Sequence, residues 1–371
     1  MSEKLRQLIA QEIEHAGGWL SFARYMELAL YAPGLGYYMA GARRLGRDGD
    51  FVTAPEISRL FGRTLAQQLK QLAALGLNEI LEIGAGSGAL AADVLLELER
   101  ASCVPGRYLI LELSPDLRDR SRDTLAARAP HLLERVAWLN RLPPSFTGAV
   151  IGNEVLDAMP VHVFERREGG IVELGVALQK GTFTWSPRAT PEAAQVDPRC
   201  FPESTYRTEI QILARAFMRS LAPILARGVV LLIDYGFPHH EYYHPQRTGG
   251  TLMCHYRHRA HGDPFLWPGL QDITTHIDFS AIAHSGHEAG LDLLGYTNQA
   301  QFLINCGITD LLAQTPAEDA AAYAPLASQA QKLLSPAEMG ELFKVIALGK
   351  GVSEPLVGFA QGDRRHTLQV P

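Results

Sequence analysis

Hydrophobic residues recur with a helical period near the start of the chain. One apolar face is formed by Leu5, Leu8, Ile9 and Ile13. The helix that carries this face is expected to end at Gly17-Gly18. A second helix is expected over residues 60–75. Residues 31–50 lie between the two and are rich in glycine, tyrosine and proline, which predicts irregular structure there.

From residue 79 the pattern changes to short apolar runs that alternate with helical segments. Strands are expected at 80–83, 108–113, 136–139 and 149–152. Helices are expected between the first three strands, at 89–100 and 117–128. This alternation predicts parallel strands joined by helical crossovers, and therefore an α/β fold.

The second half of the chain mixes strands with helices. The expected strands are 161–166, 171–178, 182–185, 228–234 and 291–296, with 228–234 in the sheet interior. The expected helices are 209–226, 279–289 and several within 299–340, and 187–202 is expected to be a loop. Segments 343–348 and 355–359 predict a hairpin at the sheet edge. Residues 236–272 are rich in His, Tyr, Gly and Pro. Their length predicts a loop that is either functional or disordered, and their aromatic content favours a functional one.

Composition excludes several classes of protein. The chain has 371 residues, 47% of them apolar, and a formal net charge of −6 without a basic run, which argues against a nucleic-acid binder. It has no apolar run long enough for a membrane span. Four scattered cysteines without a CxxC pair argue against a disulfide framework or a zinc ribbon. The acidic first residues fit neither a secretory nor a mitochondrial leader, so we expect a cytoplasmic protein.

The sharpest local motif is LEIGAGSGAL at 81–90, where a buried strand ends in glycines and a helix begins. Gly84, Gly86 and Gly88 follow GxGxG spacing rather than the GxGxxG of dinucleotide sites. Glu82, two residues before the first glycine, would repel a pyrophosphate but suit an ammonium group. Glu112 ends the next strand, where an acid binds ribose hydroxyls in both nicotinamide and S-adenosylmethionine sites. The motif favours S-adenosylmethionine over a nicotinamide cofactor or a tight turn without a ligand.

An acidic loop follows the strand at 149–152. Asn153, Glu154 and Asp157 should lie beside the glycine loop, because ligands bind at the carboxyl ends of parallel strands. Two carboxylates could hold a guanidinium group and accept its proton. The alternative is structural: Asn153 could cap a helix whose first turn contains both acids.

Two other segments have a local structural explanation as well as a functional one. Thr53, Pro55 and Glu56 form the start of a helix, with an acid three residues after the capping position. Seven histidines lie between His239 and His276, and they allow a polar wall facing the substrate, a solvated surface or a metal site. Their spacings match no known zinc motif, so no metal is expected.

The chain resembles the MidA family of S-adenosylmethionine-dependent methyltransferases over nearly its whole length. The resemblance is carried by FARYMELALYAPGLGYY, GDFVTAPEISRLFG, LEIGAGSGALAADVL, LELSP, GNEVLDAMPVHVF, LLIDYGFP, HYRHRAHGDPF, DITTHIDFSAI and MGELFKVIAL. It implies a Rossmann-like class I methyltransferase with a seven-stranded sheet whose last strand is antiparallel. Residues 1–62 would form an N-terminal helical segment over the cofactor. Residues 63–371 would form the methyltransferase domain, with cap or lid insertions at about 160–205, 237–275 and 298–340.

The resemblance also implies roles for individual residues. The catalytic residues would be Glu154, Asp157 and Asn153. The cofactor S-adenosylmethionine would be bound by Glu82, Gly84, Ala85, Gly86, Gly88, Glu112, Leu113, Thr53, Pro55, Glu56 and Asn153. The residues facing the substrate would be Asp234, Tyr235, His255, Arg257, His258, Asp272, Thr274, His276 and Asp278.

The family includes a mitochondrial complex I assembly factor with protein-arginine methyltransferase activity. The resemblance therefore implies methylation of an arginine in a partner protein, by analogy a complex I subunit. Three alternatives remain: an assembly factor that binds the cofactor without turnover, a methyltransferase for another residue or a small molecule, and a nicotinamide oxidoreductase. Neither nucleic acid nor a membrane span is expected, and the oligomeric state is open, a homodimer being one choice.

Overall fold

The computed structural model describes residues 2–40 and 52–370. The α-helices in these ranges are α1 (Ser2–His15), α2 (Phe22–Tyr31), α3 (Ala54–Ile57), α4 (Arg59–Ala74), α5 (Ala89–Arg100), α6 (Pro115–Arg128), α7 (Pro191–Gln195), α8 (Ile212–Ile224), α9 (His239–Tyr242), α10 (Phe279–Glu288), α11 (Gln299–Asn305), α12 (Ile308–Ala313) and α13 (Ala320–Leu334). Short 3₁₀ helices occupy Pro130–Arg135, Pro198–Cys200, Val357–Phe359 and Arg365–Leu368.

The strands in the same ranges are β1 (Leu20–Ser21), β2 (Ile80–Ile83), β3 (Tyr108–Leu111), β4 (Val136–Leu139), β5 (Phe146–Asn153), β6 (His162–Arg167), β7 (Gly170–Gln179), β8 (Thr182–Arg188), β9 (Tyr206–Ile210), β10 (Leu225–Phe237), β11 (Met253–Tyr256), β12 (Arg259–His261), β13 (Asp272–Thr274), β14 (Ile277–Asp278), β15 (Asp292–Asn298) and β16 (Phe343–Lys350).

A large mixed sheet forms the centre of the molecule, with strand order β15-β16-β10-β5-β2-β3-β4. The strands β2, β3, β4, β5 and β10 are parallel to one another, and β16 is antiparallel to both of its neighbours. This order confirms the expected α/β methyltransferase fold. The sheet has eight strands rather than the expected seven, because the two-residue strand β14 pairs with β10.

Apolar helices cover both faces of the large sheet. On one face, the cores of α4, α5 and α11 pack together with the sheet through residues such as Phe61, Leu95 and Phe302. On the other face, α8 and α10 pack through residues such as Met218 and Ile282. Burial on both faces explains why β10 contains the continuous apolar run 229–233, as is typical of interior parallel strands.

A smaller antiparallel sheet, with order β1-β7-β6-β9 and β8 beside β7, is built from the segment after the acidic loop. Its apolar side packs against α1 and α2 in one cluster with Phe22, Tyr25 and Val176. A third sheet of three short strands, β12-β11-β13, joins the same cluster through Cys254 and Ile273. These two sheets and the N-terminal helices form a lobe at the carboxyl edge of the large sheet.

Two expectations about individual segments, one in the small sheet and one in the large sheet, are wrong. The helix expected at 209–226 begins only at Ile212, because residues 206–210 form the edge strand β9 of the small sheet. The hairpin expected at 343–359 does not form. Instead β16 lies between β10 and β15, and residues 357–359 make a 3₁₀ turn whose Phe359 ring packs on Phe302. Strand β15 is therefore the edge strand.

The segments 299–340 and 236–272 differ in how much regular structure they contain. Helices occur within 299–340 as expected, and the predicted loop at 236–272 contains the short elements α9, β11 and β12. In the described ranges, no helix combines the length and apolarity that a membrane span needs. Residues 41–51, which include part of the expected irregular segment and the first three residues of GDFVTAPEISRLFG, lie outside the described residues.

Candidate active site

A cavity of about 450 Å³ lies at the carboxyl ends of β2, β3 and β5. Six acidic side chains line it: Glu27, Glu56, Glu82, Glu112, Glu154 and Asp157. The other lining residues are Tyr31, Tyr38, Met39, Thr53, Pro55, Ile83, Gly84, Ala85, Gly86, Ser87, Ala89, Leu90, Leu111, Leu113, Ser114, Leu117, Asn153, Val155, Ala158, Met159, Pro160, Leu213 and Phe217. Within the described ranges, the lining thus contains no Lys, Arg or His, and the cavity is suited to a cationic ligand.

The glycine loop connects β2 to α5 at one wall of the cavity. Gly84 and Gly86 have φ angles of 67° and 54°, a left-handed conformation that side chains other than glycine rarely adopt. The backbone N–H of Gly86 donates to Glu112 Oε2 at 3.2 Å, which ties this loop to the end of the neighbouring strand. Both glycines line the cavity, where the absence of a Cβ leaves room for a ligand.

Gly88 differs from the other two glycines because it does not line the cavity in the described structure. It has a φ of 79°, and a Cβ built there would lie 2.8 Å from the Cα of Ser121 in α6. Its role is close packing of α5 against α6. The expected contact between Gly88 and the cofactor stays a prediction.

Two of the acidic residues come from adjacent parallel strands. Glu82 is buried within β2, and the hydroxyl of Tyr108 donates to its Oε2 at 2.7 Å. Burial raises the pKa of Glu82 to about 7, although the Tyr108 hydrogen bond opposes the rise. Glu112 follows β3 and accepts a hydrogen bond from the Ser114 backbone at 3.0 Å. Burial also raises the pKa of Glu112, and the backbone N–H groups around it limit the increase.

The acidic loop after β5 contains Glu154, the carboxyl of the lining whose pKa is raised most, and Asp157. Burial, together with the nearby Asp157, raises the pKa of Glu154 to about 8. Glu154 has a φ of 52°, a conformation rare for a non-glycine residue, and its backbone N–H is held by the carbonyl of Ile233 at 2.8 Å. Asn153 Nδ2 donates to Glu154 Oε1 at 3.2 Å. Burial raises the pKa of Asp157 to about 6, against the effect of a hydrogen bond from Tyr235.

The helix-capping alternative for Asn153 is not realised. Residues 154–161 form bends and turns and no helix. The loop is shaped instead by Asp234 at the end of β10, whose Oδ2 accepts the backbone N–H groups of Leu156 and Asp157 at 2.9 and 3.2 Å. The two acids are therefore fixed in a non-helical turn that lines the cavity.

The segment Thr53–Glu56 approaches the glycine loop from the N-terminal side. Thr53, Pro55 and Glu56 all line the cavity, and α3 begins at Ala54 without a capping hydrogen bond from the Thr53 side chain. Ser87 donates a hydrogen bond to the Glu56 carboxylate. The local capping interaction is thus absent, and the segment contacts the proposed cofactor loop instead.

The residues expected to face the substrate do not line the cavity within the described ranges. Asp234 and Tyr235 lie behind the acidic loop and hydrogen-bond to it. Thr274 is buried in β13, and Asp278 caps α10 by accepting the Ala281 N–H at 3.1 Å. The His276 ring packs against Tyr235 and Phe237, and burial lowers its pKa to about 4. Of these side chains, Asp234 and Tyr235 therefore hold the acidic loop directly, and His276 packs against Tyr235.

His255, Arg257 and His258 belong to the β11–β12 hairpin. Arg257 and His258 form its two-residue turn, with φ angles of 49° and 59°, and both are exposed. Two consecutive positive φ angles are typical of tight hairpin turns. Among the residues that the structure describes, no group of three or more His, Cys, Asp and Glu side chains is arranged to bind a metal ion.

Several lining residues were not among the expected site residues, chiefly Tyr31, Tyr38, Ser87, Ser114, Met159, Leu213 and Phe217. The rings of Tyr31 and Tyr38 stack at 5.6 Å, and their hydroxyls donate to the Ala158 carbonyl and to Asp272 Oδ1, each at 2.9 Å. The tyrosines of FARYMELALYAPGLGYY were the available signal for this aromatic wall. Leu213 and Phe217 lie on α8, which is distant in sequence from every cofactor motif.

Comparisons with known proteins agree with a ligand site at the glycine loop. Residues 60–297 match the model of a family described as S-adenosyl-L-methionine-dependent methyltransferases. The chain belongs to this family. It is also similar to the mitochondrial protein arginine methyltransferase NDUFAF7 of Mus musculus, at 30% identity over 89% of this chain and 81% of the relative. The Danio rerio protein of the same name is 29% identical over 90% of this chain and 84% of that relative.

A solved structure extends the comparison to the whole fold. A protein from Burkholderia thailandensis, crystallised with S-adenosyl-homocysteine, is 52% identical to this chain with a TM-score of 0.96. The alignment covers 99% of this chain and 97% of the other. This enzyme is thus a methyltransferase with S-adenosylmethionine as its cofactor.

The cavity of this enzyme fits that cofactor on its own features. Its volume lies in the range of small-molecule sites, and the left-handed glycines open one wall to close approach. The buried carboxyl groups of Glu82 and Glu112 give it acceptors of the kind that an ammonium group and ribose hydroxyls need. The Oδ1 atoms of Asn153 and Asp157 are buried without a hydrogen-bond partner among the described residues, so acceptors remain for a ligand.

Proposed function

We propose that this methyltransferase modifies an arginine side chain of a partner protein. The observation that carries the proposal is the acidic inner end of the cavity, where Glu154 and Asp157 face a space without a cationic side chain among the described lining residues. A buried site with two carboxyls and no internal counter-charge has a large unmet demand for a cation. The planar guanidinium group meets this demand with several N–H donors in a fixed geometry.

The cofactor end of the cavity has separate functions. S-adenosylmethionine, when bound, supplies a methyl group activated by its sulfonium. Glu82 would bind the methionine ammonium, Glu112 the ribose hydroxyls, and Gly84 to Gly86 would allow close approach of the cofactor. Leu113 lines the cavity beside Glu112 with 62% of its surface exposed, and would cover the adenine. Residues Tyr31, Tyr38 and 53–56 would close the site from the N-terminal side.

At the other end of the cavity, the enzyme has to orient one nitrogen of the arginine substrate and accept one proton from it. Glu154, with its pKa raised to about 8, and Asp157, with its pKa near 6, are both within the pH range in which a carboxyl can exchange protons with a substrate. A bound guanidinium would lower both pKa values, because an opposite charge favours the ionised form. The turn that presents both acids is held by Asp234, so their positions are preorganised.

The names of the relatives support the choice of substrate. Both relatives compared above are called protein arginine methyltransferases and share most of this chain's length. A protein substrate also agrees with the exposed Leu213 at the cavity, which a polypeptide bearing the arginine would contact.

The proposal is tested by identifying the methylated residue. The purified enzyme is incubated with S-adenosylmethionine carrying a labelled methyl group and with proteins from a strain that lacks the enzyme. Acid hydrolysis and chromatography should place the label in methylarginine. Glu154→Gln, which keeps the shape of the side chain but removes its charge, should lose this label. Label in methyllysine, in base-labile esters or only in small molecules would contradict the proposal.

A further inference from the structure

The Asp157 carboxylate has two oxygens in different environments. Its Oδ2 accepts a hydrogen bond from the Tyr235 hydroxyl at 2.6 Å. Its Oδ1 is buried and has no hydrogen-bond partner among the described residues, although Asp157 lines the cavity. One oxygen is therefore fixed by the protein and the other is left for a ligand.

The Tyr235 ring is itself firmly placed. It packs edge-on against His276 and Phe343, with both ring centroids 5.3 Å away. Its backbone N–H donates to Asp234 Oδ1 at 2.9 Å, and the other oxygen of Asp234 holds the N–H groups of the acidic loop. The donor and the acceptor of the Tyr235–Asp157 hydrogen bond are thus anchored to the same strand end.

Resting on the arginine methylation proposed above, we propose that Tyr235 is a positioning residue that orients Asp157, so that Asp157 Oδ1 accepts the proton released by the substrate. In the reaction, a guanidine nitrogen forms a bond to the methyl carbon as the sulfur–methyl bond breaks and its electron pair returns to sulfur. The nitrogen loses one proton to Asp157 Oδ1, and the carboxylic acid then releases this proton to solvent. Charge and atoms balance without another reactant.

The choice of Asp157 over Glu154 follows from their neighbours. Glu154 accepts hydrogen bonds from Asn153 and from the Ala54 backbone, and its pKa is the higher of the two. The proximity of Asp157 raises the pKa of Glu154, which is expected if Asp157 carries the negative charge. Asp157 is therefore the carboxyl that is ionised before the substrate binds, and its Oδ1, without a partner among the described residues, can accept the proton. Glu154 ionises as the guanidinium group binds, because the opposite charge lowers its pKa, and it holds the substrate.

Other titratable groups also surround Asp157. Asp234 faces it from β10, and the hydroxyl-bearing rings of Tyr31 and Tyr38 face it from the N-terminal wall. Asp272 lies behind Tyr38 and acts on Glu154 as well. His276, next to Tyr235, is kept neutral by a pKa lowered to about 4. Among these neighbours, Tyr235 is the one whose side chain donates directly to the Asp157 carboxylate, so its removal should change the Asp157 titration.

The test is to titrate the Asp157 carboxyl by carbon-13 NMR in protein labelled at aspartate, with Asp157→Asn to assign the signal. The wild-type midpoint should lie at about 6. Tyr235→Phe should raise it by about one unit or more, because a hydrogen bond to a charged acceptor is lost. Tyr296→Phe is the matched control, since the buried Tyr296 hydroxyl has no partner in the described structure. This control should leave the midpoint unchanged.

If Tyr235→Phe does not fold, 3-fluorotyrosine introduced at position 235 gives the opposite test, because the more acidic hydroxyl should lower the Asp157 midpoint.

In wild-type enzyme, the pH dependence of arginine methylation should follow the midpoint seen by NMR, and both should shift together in Tyr235→Phe. An unshifted NMR midpoint would overturn the positioning role, even if arginine is methylated. A shifted midpoint with no methylation of arginine would overturn the proton transfer and the proposed function, but not the positioning role.

Discussion

The pH dependence of cofactor binding is the most quantitative consequence of the site. Glu82 is buried and has a pKa raised to about 7, and we propose that it binds the ammonium group of the cofactor. Only the ionised carboxylate attracts a cation, so affinity is present above this pKa and is lost as the pH falls through it. The ionised fraction is about 9% at pH 6 and about 91% at pH 8, so the dissociation constant should be about tenfold larger at pH 6.

Calorimetric titration with S-adenosyl-homocysteine between pH 6 and pH 8 measures this effect, which corresponds to about 1.4 kcal/mol. Glu82→Gln should bind weakly and with a flat pH profile. Tyr108→Phe removes the hydrogen bond to Glu82 Oε2 and should move the midpoint of the profile upward by about one unit. Tyr296→Phe is the control for loss of a buried hydroxyl. A flat profile for the wild-type enzyme, or the same slope in Glu82→Gln, would refute the assignment of Glu82.

Three further substitutions separate binding, stability and catalysis. Gly86→Val should abolish S-adenosyl-homocysteine binding, because a branched side chain at φ 54° is strained and fills the cofactor wall; normal affinity in calorimetry would refute that location. Gly88→Ala should instead lower the free energy of unfolding, because its Cβ would collide with α6. We expect a loss of roughly 2 kcal/mol or more in denaturant titrations, and unchanged stability would argue against the packing role. Glu154→Gln should bind S-adenosyl-homocysteine nearly as tightly as wild type but lose methyl transfer; full activity would exclude its participation.

The site residues that could be predicted from the sequence are those that lie within a recognisable local motif or directly after a predicted strand. Glu82, Gly84 and Gly86 belong to one strand–loop–helix unit, and Glu112 and Asn153 follow the ends of the next strands. Because parallel strands place their carboxyl ends along one edge, five separate residues could be assigned to one cavity without a structure.

The remaining parts depend on packing between segments distant in sequence. The register of β10 brings Asp234 and Tyr235 behind the acidic loop, so these two side chains hydrogen-bond to the loop and do not line the cavity. The position of β16 between β10 and β15 could not be deduced from its own apolar pattern, which suits an edge hairpin as well as an interior strand. The spacing of the motif assigned Gly88 to the cofactor loop, but the packing of α6 against it determines its surroundings.

The most direct test of the account is a crystal structure of this enzyme with S-adenosyl-homocysteine. We expect the amino group of the ligand to contact Glu82 and its ribose hydroxyls to contact Glu112. Its sulfur should face the acidic side chains of Glu154 and Asp157 across open space. A ligand whose sulfur points away from this pair, or one bound outside the cavity, would contradict the proposed site for methyl transfer.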